Sequence, residues 1–140
     1  MTFRERPSGS LQIAQPDMPI LSDAHPLEDP IQATIVEWLR LVLPQAVVSS
    51  IPLGGLRSKR EAAKLKWTGA LAGMPDVVAA LPGGVTLWIE VKRPKTDLTD
   101  RQPAIHDALR AIGHHVIVAR GIDDVRVALA DLGVETREAA

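Results

Sequence analysis

Gly73–Lys95 reads GMPDVVAALPGGVTLWIEVKRPK, and the fold turns on how that stretch is paired. Asp76–Leu81 and Val85–Val91 are apolar, β-branched runs joined by Pro82-Gly83-Gly84, whose glycines supply the positive φ of a tight reversal, so the stretch predicts a β-hairpin. A three-residue loop sets Leu81 opposite Val85, and stepping back along both strands brings Asp76 directly across from Glu90. Their Cβ atoms are then expected about 4.5–5.5 Å apart. Carboxylates that close repel unless they share a proton or hold a cation between them. Lys92 faces the same side as Glu90, roughly 6.7 Å along the strand, while Leu87, Ile89 and Val91 take the other face and can be buried.

Outward from the hairpin, apolar periodicity supplies the other elements. Ile31, Ile35, Trp38, Leu39 and Val42 recur at helical spacing, so a helix is expected over Leu27–Val42, with Pro30 in its first turn and Pro44 as its stop. Ala46–Leu53 has strand character and ends at Gly54-Gly55. Arg57–Lys66 favours helix, and Trp67–Gly73 is a small-residue loop returning to the hairpin. Beyond the hairpin, Thr99 followed three residues later by Gln102 resembles a capping box opening a helix through Ala111, with Gly113 at its C-terminal end. His114–Arg120 is the next strand and Asp123–Leu132 the last helix, giving the order α, β, α, β, β, α, β, α. Residues 1–26, rich in Pro, Ser and Gly and without periodicity, are expected to form a flexible N-terminal arm, and 27–140 a single domain.

Composition narrows the function classes. The chain of 140 residues has a net charge of -1, so no overall field argues for nucleic acid or membrane, but five basic residues between Arg57 and Lys66 stand against Glu61 alone. The absence of cysteine removes disulfides, thiolate metal sites and a cysteine nucleophile, and fits a reducing cytoplasm. No apolar run reaches the roughly 18 residues of a membrane span, and no signal-peptide pattern opens the chain.

A carboxylate pair is a hard-oxygen donor set suited to Mg²⁺ or Mn²⁺, ions that keep several waters and accept phosphate oxygens. A lysine beside such an ion can position an attacking water or stabilise charge on a phosphate. Those residues point to phosphodiester hydrolysis.

GMPD followed by WIEVK resembles the PD-(D/E)xK nuclease signature, and LTDRQPAIHDALRAIGHHVIVAR after it is similar to the virus-type replication-repair nuclease (VRR-NUC) branch. LEDPIQATIVEWL adds an upstream helix opening with Glu28 and carrying Gln32 one turn on, so the resemblance spans about Leu27–Leu132. It implies a restriction-endonuclease-like α/β core, a mixed sheet flanked by helices. It also implies Asp76 and Glu90 as metal ligands, the Val91 carbonyl as a further ligand, Lys92 in catalysis, Glu28 completing the metal sphere directly or through water, and Gln102 supporting the site. Members act on DNA, often branched or flapped, with Mg²⁺ or Mn²⁺, and small stand-alone forms resemble phage-encoded homodimers that cut Holliday-type junctions. The alternatives are a flap or single-strand-end nuclease, or a non-catalytic DNA-binding protein that keeps the fold.

Each of these residues also has a plainer reading. Glu90 and Lys92 could form an exposed salt bridge of little energetic weight, Glu28 could favour a helix N-terminus, and Gln102 could serve only its capping box. Arg57, Lys59, Arg60, Lys64 and Lys66 are either a solvated helix face or phosphate contacts. His106, His114 and His115 are read as surface or packing residues. Trp38 and Trp88 are read as core anchors, with Trp67, beside the basic run, the exception that could stack on a base.

Overall fold

The structure is a computed structural model that describes residues 2–5, 11–14, 28–52, 58–99 and 101–138. Its elements are β1 (Thr2–Glu5), β2 (Leu11–Ala14), α1 (Asp29–Val42), β3 (Val47–Ser50), α2 (Lys59–Trp67), β4 (Val77–Leu81), β5 (Val85–Val91), α3 (Gln102–Ala111), β6 (His115–Ala119) and α4 (Ile122–Asp131). The main sheet has the order β3-β4-β5-β6, antiparallel except for the parallel β5–β6 pair that α3 connects. The expected α/β order from the first helix onward is present. β1 and β2, to which the sequence assigns no element, pair antiparallel with Phe3 opposite Ile13.

The hairpin adopts the expected register, with Leu81 opposite Val85 and Val77 opposite Ile89 across a turn whose Gly83 and Gly84 both have positive φ. Odd-numbered residues of β4 and β5 therefore share one face. Val77, Ala79, Leu87, Ile89 and Val91 there are wholly shut from solvent and pack with Ile35 and Leu39 of α1 and Val125 and Leu129 of α4. Burying each such aliphatic side chain contributes on the order of 1.5–3 kcal/mol. The even-numbered face is turned toward α3, and on it lie the charged residues.

Two boundaries lie three residues from expectation, each for a reason visible in the chain, and the other described boundaries lie within two. α3 begins at Gln102 rather than Thr99, because a helix started at Thr99 would need the N–H that Pro103 lacks, whereas Pro103 fits a first turn. β3 stops at Ser50, with one further bond from Ile51 N–H to the Asp76 carbonyl, since Pro52 has no N–H with which to extend the ladder; Leu53 lies outside the described residues. Trp38 is half-buried against the core with the Arg126 guanidinium 5.2 Å above its ring, an anchor between α1 and α4 as expected. No helix among the described residues is long and apolar enough to cross a membrane.

Candidate active site

Asp76 stands at the mouth of β4, held from both directions. The buried ring of Pro75 precedes it, its carbonyl accepts the Ile51 N–H at 2.7 Å, and its Oδ2 accepts the Val91 N–H at 2.8 Å. That last bond ties the carboxyl across the hairpin to the strand that carries Glu90. Asp76 and Glu90 are close enough that each perturbs the other's carboxyl, as the register requires.

Glu90 is 1% exposed and Lys92 6%, so the plain reading of an exposed salt bridge does not apply to them. Lys92 Nζ stands 3.8 Å from Glu90 Oε1, too far for a hydrogen bond but close enough for its charge to oppose the rise of the Glu90 carboxyl. Gln102 Nε2 donates to the same Oε1 at 2.7 Å, while Gln102 Oε1 accepts the Thr99 N–H at 2.9 Å. The Thr99 bond occupies the amide oxygen and leaves its NH₂ for Glu90. Gln102 thus makes the half of the expected capping box that uses its own side chain and supports the acidic pair as well.

Burial drives the Glu90 carboxyl up to about 8, and the neighbouring Asp76 charge adds to the rise. The Asp76 carboxyl is also raised by burial, against the lowering effect of the Val91 N–H. The half-buried Glu28, at the N-cap of α1, lies close enough for its charge to push both carboxyls further up. Among the described residues no three His, Asp or Glu side chains are gathered closely enough to enclose a metal ion. Glu28 stands beside the pair at the start of α1. A hard divalent cation fits what is present, because Glu90 Oε2 is buried without a hydrogen-bond partner and the pair cannot carry two negative charges unaided.

His106, read from sequence as packing, is fully buried on α3 with its Nε2 3.6 Å from Glu90 Oε2. A signal for it was present in the chain: it follows Gln102 by four residues, so a helix that turns Gln102 toward the sheet turns His106 there as well. Burial, helped by the Arg110 charge, lowers its affinity for a proton. His114 and His115 are exposed, in keeping with the surface reading.

The basic segment forms α2, opened by Ser58, whose Oγ accepts the Glu61 N–H at 3.1 Å. No residue of α2 is buried. Lys59, Arg60, Lys64 and Lys66 are exposed, Trp67 is 86% exposed, and Arg57 lies outside the described residues. Arg60, Lys64 and Trp67 follow at i, i+4 and i+7, which puts two cations and an indole on one stripe. The loop after α2 is pinned to the site at Gly73, where a Cβ would meet the Arg101 backbone at 2.8 Å.

A family profile described as the VRR-NUC domain matches residues 14–123. A solved structure described as a VRR-NUC domain protein superposes with a TM-score of 0.60 at 25% identity, over 75% of this chain and 86% of the other. A second, described as a VRR-NUC domain, gives 0.54 at 23% identity over 74% and 94%, and supports the fold. No curated protein matches the sequence.

Proposed function

The chain belongs to the VRR-NUC family of nucleases, and from that premise we propose that it is a divalent-metal-dependent DNA endonuclease selective for branched DNA such as four-way junctions. The observation that carries the metal dependence is the close Asp76–Glu90 pair, in which Glu90 is buried and raised to about 8. A site built to keep a proton at neutral pH is a site waiting for a stronger positive charge.

Asp76 and Glu90 would hold Mg²⁺ or Mn²⁺ with the Val91 carbonyl, and Glu28 would reach the ion through water. When bound, the ion supplies neutralisation of the scissile phosphate and acidifies a nearby water. Lys92 positions that water for attack on phosphorus and stabilises the charge that gathers on the phosphate oxygens. Gln102 keeps Glu90 from rotating away. The water oxygen bonds to phosphorus as the bridging P–O bond breaks, the proton that the water loses passes to solvent, and the departing oxygen takes one up.

Substrate grip is assigned to α2, a helix with no buried residue and four exposed cations, joined to the loop that ends at Asp76. With Arg57 included, at most five phosphate contacts give a log-log salt slope in binding of about -4.5. Replacing Lys59 and Arg60 by Ala should flatten that slope by up to about two units, as read by fluorescence anisotropy at graded salt. Trp67→Ala should weaken binding with the slope intact, because stacking releases no counterions. An unchanged slope in the double variant would return α2 to a solvated face.

A four-way junction calls for two symmetric incisions, which two copies related by a twofold axis would deliver, so a homodimer is part of the proposal. The deciding experiment incubates labelled four-way, flapped and single-stranded DNA with and without Mg²⁺ or Mn²⁺, alongside light scattering of the protein. Paired cuts in the junction by a dimer are the expected result. Cleavage confined to flaps or ends by a monomer would favour the end-processing reading. No cleavage of any substrate with either metal would leave a DNA-binding protein with an inert nuclease fold.

A further inference from the structure

We propose that His106 is a positioning residue for Glu90, its Nε2 set to donate a hydrogen bond to Glu90 Oε2; this rests on the metal-dependent reading above. His106 is 0% exposed, and neither ring nitrogen has a hydrogen-bond partner. Buried polar side chains nearly always find partners, so an imidazole with both nitrogens unsatisfied calls for an explanation. Facing it at 3.6 Å is Glu90 Oε2, itself buried and unpartnered, while Oε1 of the same carboxyl is already bonded to Gln102. Two unsatisfied groups thus point at one another, a few tenths of an ångström beyond the roughly 2.7–3.2 Å of an N–H···O bond.

The last torsion of a glutamate side chain is broad, so a small turn of the carboxyl brings Oε2 within bonding distance of the imidazole. A carboxylate oxygen has two lone pairs, so accepting the imidazole N–H leaves Oε2 able to act as a ligand. Gln102 and His106 sit one turn apart on α3, so a single rigid helix face would then hold both oxygens of Glu90. Ligands oriented in this way bind their ion more tightly, and losing such a partner typically costs 10–100-fold in affinity.

Three variants separate this role from mere packing. His106→Gln puts an amide N–H near the position of Nε2, His106→Asn puts one near Nδ1, and His106→Leu fills the space with no donor. Mn²⁺ binding by calorimetry is read for each, with the melting temperature of the metal-free protein and cleavage of a four-way junction. His106→Gln is expected to bind Mn²⁺ about as well as the wild type, and His106→Asn and His106→Leu about 10–100-fold more weakly. The metal-free melting temperature of His106→Leu should be unchanged or raised, because an unsatisfied polar group has been removed. Wild-type Mn²⁺ affinity in a folded His106→Leu overturns the proposal. If that variant does not fold, equal affinities for the Gln and Asn variants overturn it, and a tenfold advantage for Gln supports it. A wild type that neither binds Mn²⁺ nor cuts any DNA defeats the metal-dependent reading and this role with it, whereas a wild type that does both beside an unaffected His106→Leu defeats only the role of His106.

Discussion

Lys92→Ala should lose at least about 10²–10³-fold in cleavage rate, the loss typical of removing one preorganised charge or donor from a transition state, while still binding Mn²⁺ measurably. Lys92 is 3.8 Å from Glu90 and 6% exposed, so its ammonium serves the acidic pair and its immediate surroundings and has little access to bulk solvent. It is not itself a ligand, and that separates it from its neighbours. Asp76→Asn should lose metal and turnover together. Glu90→Gln keeps the shape and removes a negative charge, so it should lose most cleavage while DNA binding persists or tightens, since carboxylate–phosphate repulsion is relieved. Single-turnover cleavage, calorimetry and anisotropy on the same preparations separate these outcomes, with circular dichroism reporting the fold. Wild-type cleavage by either Lys92→Ala or Glu90→Gln would show that the chemistry lies elsewhere.

The second large effect is expected in the pH dependence of metal binding. The Glu90 carboxyl sits at about 8 in the fold against an ordinary 4.5. Between those values the folded protein holds a proton that the unfolded chain has released, so in the metal-free protein this group's contribution to stability is complete below about 4.5 and is lost as pH rises through about 8. A cation competes for the same oxygens, so its affinity runs the other way. Displacing one such proton should raise the apparent Mn²⁺ affinity on the order of 50-fold between pH 6 and pH 8, levelling off above that. Calorimetry across the range reads it directly, and the stabilisation by Mn²⁺ in thermal melts should grow in parallel. An affinity that does not change with pH would mean that no proton resides on the pair.

The heart of the site was legible because strand geometry leaves little choice. Once Pro82-Gly83-Gly84 is a three-residue turn, Asp76 must meet Glu90, and the odd-numbered aliphatics must face the other way. Less was legible where a residue type carries two meanings. Gln102 reads as a cap from local spacing, yet its second hydrogen bond goes to Glu90, twelve residues back and on another element, a contact that no local rule encodes. His106 reads as packing because a histidine on an amphipathic helix is ordinary until the group opposite it is known. Glu28 could be placed near a helix start but not at a distance from the pair, since the path of α1 over the sheet depends on core packing by Ile35 and Leu39. β1 and β2 gave no sign because each is a short mixture of apolar and polar residues inside a Pro- and Ser-rich stretch, whereas the equally short β3 lies in the apolar run Ala46–Leu53.

Gly73 has a bearing on inheritance. It carries no charge, takes no part in chemistry and lies in a small-residue loop, where a change would ordinarily be harmless. Yet any side chain there would press on the backbone of Arg101, the residue immediately before Gln102, whose amide steadies Glu90. A lesion at Gly73 would therefore pass a survey of acidic and basic residues unnoticed and still disable the enzyme, so in descendants of this gene the glycine should prove as resistant to replacement as the acids it never touches.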